Sequence, residues 1–249
     1  MSSYIVFHPD SDRQSVRVEG FAITEDKQGA APWTGNVWVD ARDGGNEDPW
    51  CLSQPWLYSY CHATQLQRGT MKPGDMIFFV SGDGADRDSF TCDTVFIVKR
   101  KHEWQRGVSD FGWVPSGAPP GLLHHQQGGD QVWQRHLRFG LPQEKGHSGR
   151  YTFEAAGFEG SGEPYSFLPL QTSGTRTTVE IDMLPQVVKG AIREKRKGKY
   201  PVRLSHEDAT SLCGLLISQS PIKVVKIVRE LDPVTMPRSG ACGSGRGCR

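Results

Sequence analysis

The chain has 249 residues, with 29 basic and 28 acidic side chains and a formal net charge of +1. A charge this close to zero excludes the uniformly basic class of nucleic-acid-binding protein, so any nucleic-acid affinity must come from a local patch. The 29 glycines and 16 prolines favour many turns, and 36% hydrophobic residues with 7 tryptophans are enough for a buried core.

Neither membrane insertion nor export is expected. No window approaches the run of about 18 apolar residues that a spanning helix needs. The N-terminus, MSSYIVFHPDSDR, lacks the basic start and apolar stretch of a signal peptide. These features indicate a cytoplasmic protein. In that compartment the 6 cysteines, which show no paired CxxC spacing, are expected to be free and mostly buried thiols.

Strand patterns dominate the first part of the chain. The segments SYIVFH, SVRVEGFAI and NVWVDA are rich in aromatic and β-branched residues or alternate in hydrophobicity, which predicts β-strands. In the third segment Val37 and Val39 share one face, and Trp38 lies on the other.

The segment SQPWLYSYCHATQLQRG, residues 53–69, is predicted as a helix. Ser53 can cap its start, and Pro55 suits the first turn because its missing N–H is not needed there. Helical spacing of i, i+3, i+4 and i+7 is shown by Leu57, Tyr60, Cys61 and Thr64.

The sequence KPGD at 72–75 predicts a turn, and MIFFV after it predicts a strand. Because this strand is apolar on both faces, we expect it to be central and covered on each side. The next segment, SGDGADRDSFTCD, is predicted as a solvated acidic loop whose aspartates lack the spacing of a calcium loop. These are Asp83, Asp86, Asp88 and Asp93. TVFIV then predicts a second apolar strand, which ends in the basic KRKHEW.

Later segments complete an α+β pattern. RYTFEA and YSFLPL predict strands, LPQVVKGAIREKRKGKY and SHEDATSLCGLLISQS predict helices, and IKVVKIVREL predicts a closing strand. In the second helix Ser205 and Asp208 form a start that resembles a capping box, and one face is lined by Ala209, Leu212, Cys213 and Leu216. We predict a single α+β domain over 1–236, with a core of about 1–104 and 150–232, a long irregular insertion at 105–149 and a flexible tail at 237–249.

The helix, the RGTMKPGD turn, the MIFFV strand and the returning DTVFIVKRKHEW resemble the PUA-like superfamily, particularly its EVE and ASCH branches. The resemblance covers residues 53–104. It implies a PUA-like mixed β pseudo-barrel with flanking helices. It also implies a nucleic-acid partner, DNA or RNA, and in several members a flipped, modified base in a pocket beside the barrel. Recognition of modified DNA in a defence setting is one role that the superfamily suggests.

A base pocket needs flat side chains and a few hydrogen-bonding groups. The candidates that flank the predicted helix and the end of the central strand are Trp50, Trp56, Tyr60 and Ser81. The alternative for each of these rings is ordinary core packing.

Two basic groups are candidates for binding a phosphate backbone. The region 189–203 holds 7 basic residues against 1 acid, and a second cluster follows the second apolar strand. The candidates are Lys99, Arg100, Lys101, Lys189, Arg193, Lys195, Arg196, Lys197 and Lys199. A merely solvated helix face is the alternative.

An enzyme on the same scaffold is a second hypothesis. His147, Arg150 and Glu154 lie close together in sequence and would form the catalytic group of a nuclease or nucleotide-modifying enzyme. No metal motif, phosphate-binding GxxxxGK[ST] or GxSxG sequence is present, so no metal or other cofactor is predicted. A third hypothesis is an interaction domain with no nucleic-acid role.

Overall fold

The structure, a computed structural model, describes residues 2–8, 13–27, 29–40, 49–52, 54–59, 66, 70–82, 88–106, 113–115, 151–160, 162–195 and 201–231. In these ranges it is a mixed α+β chain made mostly of strands, as the sequence predicts. None of the helices in these ranges is long and apolar enough to cross a membrane.

The described part of the chain contains twelve strands and two α-helices. The strands are β1 (Ser3–His8), β2 (Arg13–Thr24), β3 (Ala30–Asp40), β4 (Leu57–Ser59), β5 (Met76–Ser81), β6 (Ser89–Arg106), β7 (Trp113–Pro115), β8 (Tyr151–Ala155), β9 (Leu168–Leu170), β10 (Thr177–Glu180), β11 (Val202–Leu204) and β12 (Ile222–Glu230). The helices are α1 (Gln186–Lys195) and α2 (His206–Gln219), and a short 3-10 helix (Ile181–Met183) precedes α1.

The strands form two sheets. The larger has 8 strands in the order β11-β1-β5-β6-β8-β4, with β10 and β7 pairing to β6. The smaller has 4 strands in the order β3-β2-β12-β9. The sheets touch at Val95 on β6 and Phe167 before β9, whose backbone groups exchange hydrogen bonds of 2.9 and 3.0 Å. Neither sheet closes into a barrel in the part of the chain that the structure describes.

The MIFFV prediction is confirmed by β5, which lies inside the larger sheet between β1, parallel to it, and β6, antiparallel to it. All of its side chains are buried. Ile77 and Phe79 face a core shared with the smaller sheet, while Phe78 and Val80 face a core covered by the helices. The alternation of a strand therefore places one apolar set in each core.

The turn before β5 is fixed by a buried carboxylate. Asp75 accepts hydrogen bonds from the backbone N–H of Ser2 at 3.0 Å and of Lys72 at 2.8 Å. Gly74 has φ of +89°, a value that favours glycine. The Asp75 side chain thus ties the turn to the start of β1.

The prediction of α2 and of its first turn is confirmed. The Ser205 hydroxyl accepts a hydrogen bond from the Asp208 N–H at 3.0 Å, so Ser205 caps the helix. The buried face consists of Ala209, Leu212, Cys213 and Leu216, the same four residues that the helical spacing selects. This face packs onto the larger sheet.

The predicted helix over 53–69 is wrong at its beginning. Leu57–Ser59 forms β4, which pairs with β8, and Trp50 and Leu57 exchange backbone hydrogen bonds of 2.7 and 3.0 Å. Leu57 and Tyr58 are adjacent and both buried, which a two-sided strand satisfies. Ser53, Tyr60, Cys61 and Thr64 lie outside the described residues.

The acidic loop also differs from its prediction. Strand β6 begins at Ser89, so Asp93 is a strand residue, and it is buried rather than solvated. Asp83 and Asp86 lie outside the described residues, while Asp88 is exposed.

Of the predicted insertion at 105–149, the first two residues belong to β6, and β7 pairs back onto it. The rest of that region and the predicted tail at 237–249 lie outside the described residues.

Candidate functional site

The residues predicted to form a base pocket lie in two places. Trp56 is 2% exposed and packs in the core between the sheets. Trp50 is half-buried beside that core. Ser81 ends β5, a strand that β6 and β8 separate from β4. Tyr60 lies outside the described residues. Trp56 is therefore a core residue, which is the alternative predicted for it from the sequence.

The pairing of the strands places Trp50 at the same level across the sheet as Arg100, one of the residues predicted to bind a phosphate backbone. Trp50 pairs with Leu57, Leu57 pairs with Glu154 on β8, and Glu154 pairs with Arg100 on β6. We call these four residues the edge row. It runs across β4, β8 and β6 at one level, from Trp50, which bridges to β4 from outside the named strands, to Arg100 on β6.

Cations border the edge row. Lys99 and Arg100 are exposed, and Lys101 is half-buried. The Lys99 ammonium lies 2.9 Å from Glu159, whose carboxylate raises the pKa of the lysine. Because both side chains are exposed, this pair is a weak restraint and leaves Lys99 free to exchange partners.

The second predicted basic group is on another part of the structure. Lys189 on α1 lies 3.3 Å from Asp182. Helix α1 packs against β11, and β1 and β5 stand between β11 and β6 in the sheet. Arg193 and Lys195 are on α1, although their side chains lie outside the described part, and Arg196, Lys197 and Lys199 lie outside the described residues altogether.

Glu154 is the described member of the predicted catalytic group, since His147 and Arg150 lie outside the described residues. Its carboxylate lies 2.9 Å from His102 Nε2 in a buried pair that sequence reasoning missed. The hydrogen bond from His102 is the main cause that lowers the pKa of Glu154. A carboxylate held in this way stays ionised at neutral pH and has a defined direction.

This pair predicts a pH-dependent stability. Because the folded-state pKa of Glu154 is lowered from 4.5, its stabilisation is present above that pH and is lost as the pH falls through the lowered value. Glu154→Gln should cost about 1 kcal/mol at pH 7 and less at pH 3, because protonation of Glu154 in the wild type removes the same charge. Urea denaturation at both pH values checks this. An equal loss at both would show that the charge of Glu154 does not contribute.

Among the described residues, a buried and highly charged cluster surrounds Asp93. Arg13 Nε lies 3.2 Å from Asp93 Oδ2, and both side chains are 1% exposed. Arg176 Nη1 donates to Ser81 Oγ at 2.6 Å and to Asp93 Oδ1 at 3.1 Å. The Ser81 hydroxyl donates in turn to Asp93 Oδ1 at 3.2 Å. We call Arg13, Ser81, Asp93 and Arg176 the Asp93 cluster.

Three elements place the Asp93 cluster. A register shift opposite Phe79 and Val80 leaves Asp93 as an extra residue in β6 beside the end of β5. Ser81 closes β5 and pairs with His8, the last residue of β1. Arg13 opens β2. The cluster therefore lies at the carboxyl ends of the two parallel strands, next to the smaller sheet.

The Arg176 guanidinium group packs against an aromatic ring. Its guanidinium carbon lies 4.5 Å from the centre of the Trp38 ring, within the range of a cation–π interaction. Trp38 is the outward member of the predicted Val37, Trp38 and Val39 alternation, with Val37 and Val39 in the core. This contact fixes the plane of the arginine that bridges Ser81 and Asp93.

Opposing effects act on the Asp93 carboxyl. Burial raises its pKa, and the two guanidinium groups and the Ser81 hydroxyl oppose that rise. Asp93 Oδ1 accepts hydrogen bonds from Arg176 and Ser81, and Asp93 Oδ2 lies 3.2 Å from Arg13 without a hydrogen bond, so two cations face the carboxyl group. A sequence signal for this site exists: Asp93 interrupts the apolar run of SFTCDTVFIV. The interruption of the apolar run does not identify the residues that neutralise Asp93, because they lie far from it in the sequence.

The described cysteines are not poised for chemistry. Cys51, Cys92 and Cys213 are free and buried, which confirms the prediction for these three. Burial raises the pKa of all three thiols, that of Cys213 to about 11. Cys61, Cys242 and Cys248 lie outside the described residues. The described residues also contain no group of three or more metal-ligating side chains.

Comparisons with protein-family models, with curated proteins and with solved structures give no match to this chain. The function of the chain is therefore inferred from the edge row, the Asp93 cluster and the residues around them.

Proposed function

We propose that the protein binds nucleic acid along the edge row and recognises a base, modified or unmodified, against Trp50. The observation that carries the proposal is the register that sets Trp50 at the level of Arg100. An indole offers a stacking surface of the kind that bases use, and adjacent cations suit a phosphate backbone.

The proposal includes a PUA-like fold. Two features of the structure support it: β5 is buried on both faces between two cores, and the two sheets meet at Val95 and Phe167. A curved wall built from both sheets would have its helices on one side, where α1 and α2 pack. Its open edge would lie at β4, next to Trp50.

Binding to a panel of modified and unmodified oligonucleotides at two ionic strengths tests the proposal. We expect the wild-type affinity to fall as salt rises. In the double variant Lys99→Ala/Arg100→Ala, the slope of log K against log salt should be smaller by up to about 2, because each lost phosphate contact removes roughly one unit. The matched control is Lys226→Ala, an exposed lysine on β12 in the other sheet.

A ring variant tests the base contact separately. Trp50→Ala should lose about 1–3 kcal/mol of binding for the preferred oligonucleotide, and Trp50→Phe should retain most of it. If Trp50→Ala bound every oligonucleotide as the wild type does, the assignment of Trp50 would be wrong. If neither the wild type nor any variant bound, the nucleic-acid proposal itself would be wrong, and an interaction domain would be the better hypothesis.

A nuclease or nucleotide-modifying enzyme is the second candidate function. The observation in its favour is the buried His102–Glu154 pair, whose glutamate belongs to the edge row, since a fixed carboxylate beside an imidazole is a common acid–base arrangement. His147 and Arg150 would complete the predicted group. Formation of product from an oligonucleotide, with and without a divalent metal, distinguishes this function from binding alone. Glu154→Gln should abolish that product.

A further inference from the structure

Within the described residues two buried Arg13 guanidinium nitrogens, Nε and Nη2, make no hydrogen bond. Nε lies 3.2 Å from Asp93 Oδ2, which makes no hydrogen bond either, so these two atoms form an ion pair. The Trp38 indole Nε1–H, on the ring beneath Arg176, is also buried and without a hydrogen-bond partner among those residues. Buried donors are nearly always satisfied by protein, water or a ligand. Asp93 Oδ2 faces Arg13 Nε, so Arg13 Nη2 and Trp38 Nε1 are the two donors that indicate a further acceptor.

The charges of the cluster indicate the sign of that acceptor. Arg13 and Arg176 contribute two positive charges, and Asp93 contributes one negative charge. A site this deeply buried with one excess cation favours an anion.

The cluster lies at the carboxyl ends of β1 and β5, a parallel pair in a sheet whose other described pairs are antiparallel. In sheets with parallel strands, ligands commonly bind beyond the carboxyl ends of the strands. His8 and Ser81 are those ends in β1 and β5. The Arg176 side chain is 13% exposed, against 1% for Arg13, so an anion would approach from the Arg176 and Trp38 side.

We propose that the Asp93 cluster is a binding site for a phosphate-class oxyanion, held by Arg13, Arg176 and the Trp38 indole. A planar guanidinium matches the spacing of phosphate oxygens, and a tetrahedral anion can accept from several donors at once. Asp93 already supplies the carboxylate that orients both arginines. The inference goes beyond nucleic-acid binding at the edge row and does not depend on it.

Binding of inorganic phosphate to the full chain tests this site. In thermal unfolding, phosphate should raise Tm progressively with concentration, beyond the change given by sodium chloride at equal ionic strength. Isothermal titration should give a matching Kd. No stabilisation beyond that of sodium chloride, together with no heat of binding, would overturn the proposal.

Variants locate the binding. Arg176→Gln should weaken phosphate at least tenfold, and Trp38→Phe, which keeps the ring but removes the N–H donor, should weaken it severalfold. The matched control is Arg229→Gln, because Arg229 is an exposed arginine paired with Glu19, and phosphate should bind it as it binds the wild type. If Arg176→Gln fails to fold, the phosphate affinity of Trp38→Phe alone tests the assignment. Phosphate affinity unchanged in Trp38→Phe would overturn the assignment.

A second arm distinguishes the source of the phosphate group. Nucleoside monophosphates binding at least tenfold more tightly than inorganic phosphate would make the ligand a nucleotide, and equal affinities would make it a free oxyanion. Both outcomes support binding of a phosphate group at the Asp93 cluster. Because Lys99→Ala/Arg100→Ala leaves the Asp93 cluster intact, that variant should bind inorganic phosphate normally even if the edge row is wrongly assigned.

Discussion

Asp93→Asn should lower the free energy of unfolding by about 3–5 kcal/mol, because it removes the counter-charge of two guanidinium groups. Arg13 beside it is 1% exposed, so its charge cannot be compensated by water. Asparagine keeps the size of the side chain, and a loss of this magnitude would therefore report charge rather than packing. Urea denaturation followed by circular dichroism at neutral pH measures it.

The matched control is Asp182→Asn, which removes a carboxylate that is 76% exposed and lies 3.3 Å from the half-buried Lys189. Exposed pairs of this kind contribute about 0–1 kcal/mol, so the control should remain close to the wild type. A loss below 1 kcal/mol for Asp93→Asn would contradict the view that its charge holds the cluster together.

Phe79→Ala should be equally costly, at about 3–5 kcal/mol. Phe79 is fully buried in β5, with the Tyr58 ring at 4.8 Å and the Phe96 ring at 6.2 Å, both edge to face. Its removal would leave a cavity between the sheets and end these aromatic contacts. Thermal and urea unfolding measure the loss.

Phe79→Leu and Val228→Ala serve as controls for this experiment. Leucine refills most of the volume and should recover more than half of the loss, whereas Val228, 56% exposed on β12, should tolerate alanine with little change. If Phe79→Ala and Val228→Ala cost the same, the core between the sheets would not be the main stabilising region.

Much of the architecture could be predicted because its signals are local. The apolar run of β5 indicated a strand covered on both faces, and Ser205 with the helical spacing after it indicated α2. In both, neighbouring residues carry the information. The start of the predicted helix at 53–69 failed for the opposite reason, since Leu57–Ser59 is held as a strand by its pairing with β8 far along the chain.

The candidate sites were less predictable for the same physical reason. Asp93 was visible as a charge within an apolar run, but Arg13 and Arg176 come from distant positions on either side of it. Trp50 and Arg100 were both proposed from local composition. Only the pairing of β4, β8 and β6 sets them at one level, and strand register cannot be read from one sequence.

Strand β6 has a consequence for the order in which the chain is completed. It pairs with β5 before it in sequence and with β7, β8 and β10 after it. During synthesis β5 is already available for pairing, but the segments of β6 that pair with β7, β8 and β10 must wait for strands made later, and such late long-range pairings slow folding. We expect nascent chains that stop before β10 to engage chaperones, and release of the complete chain to end that engagement.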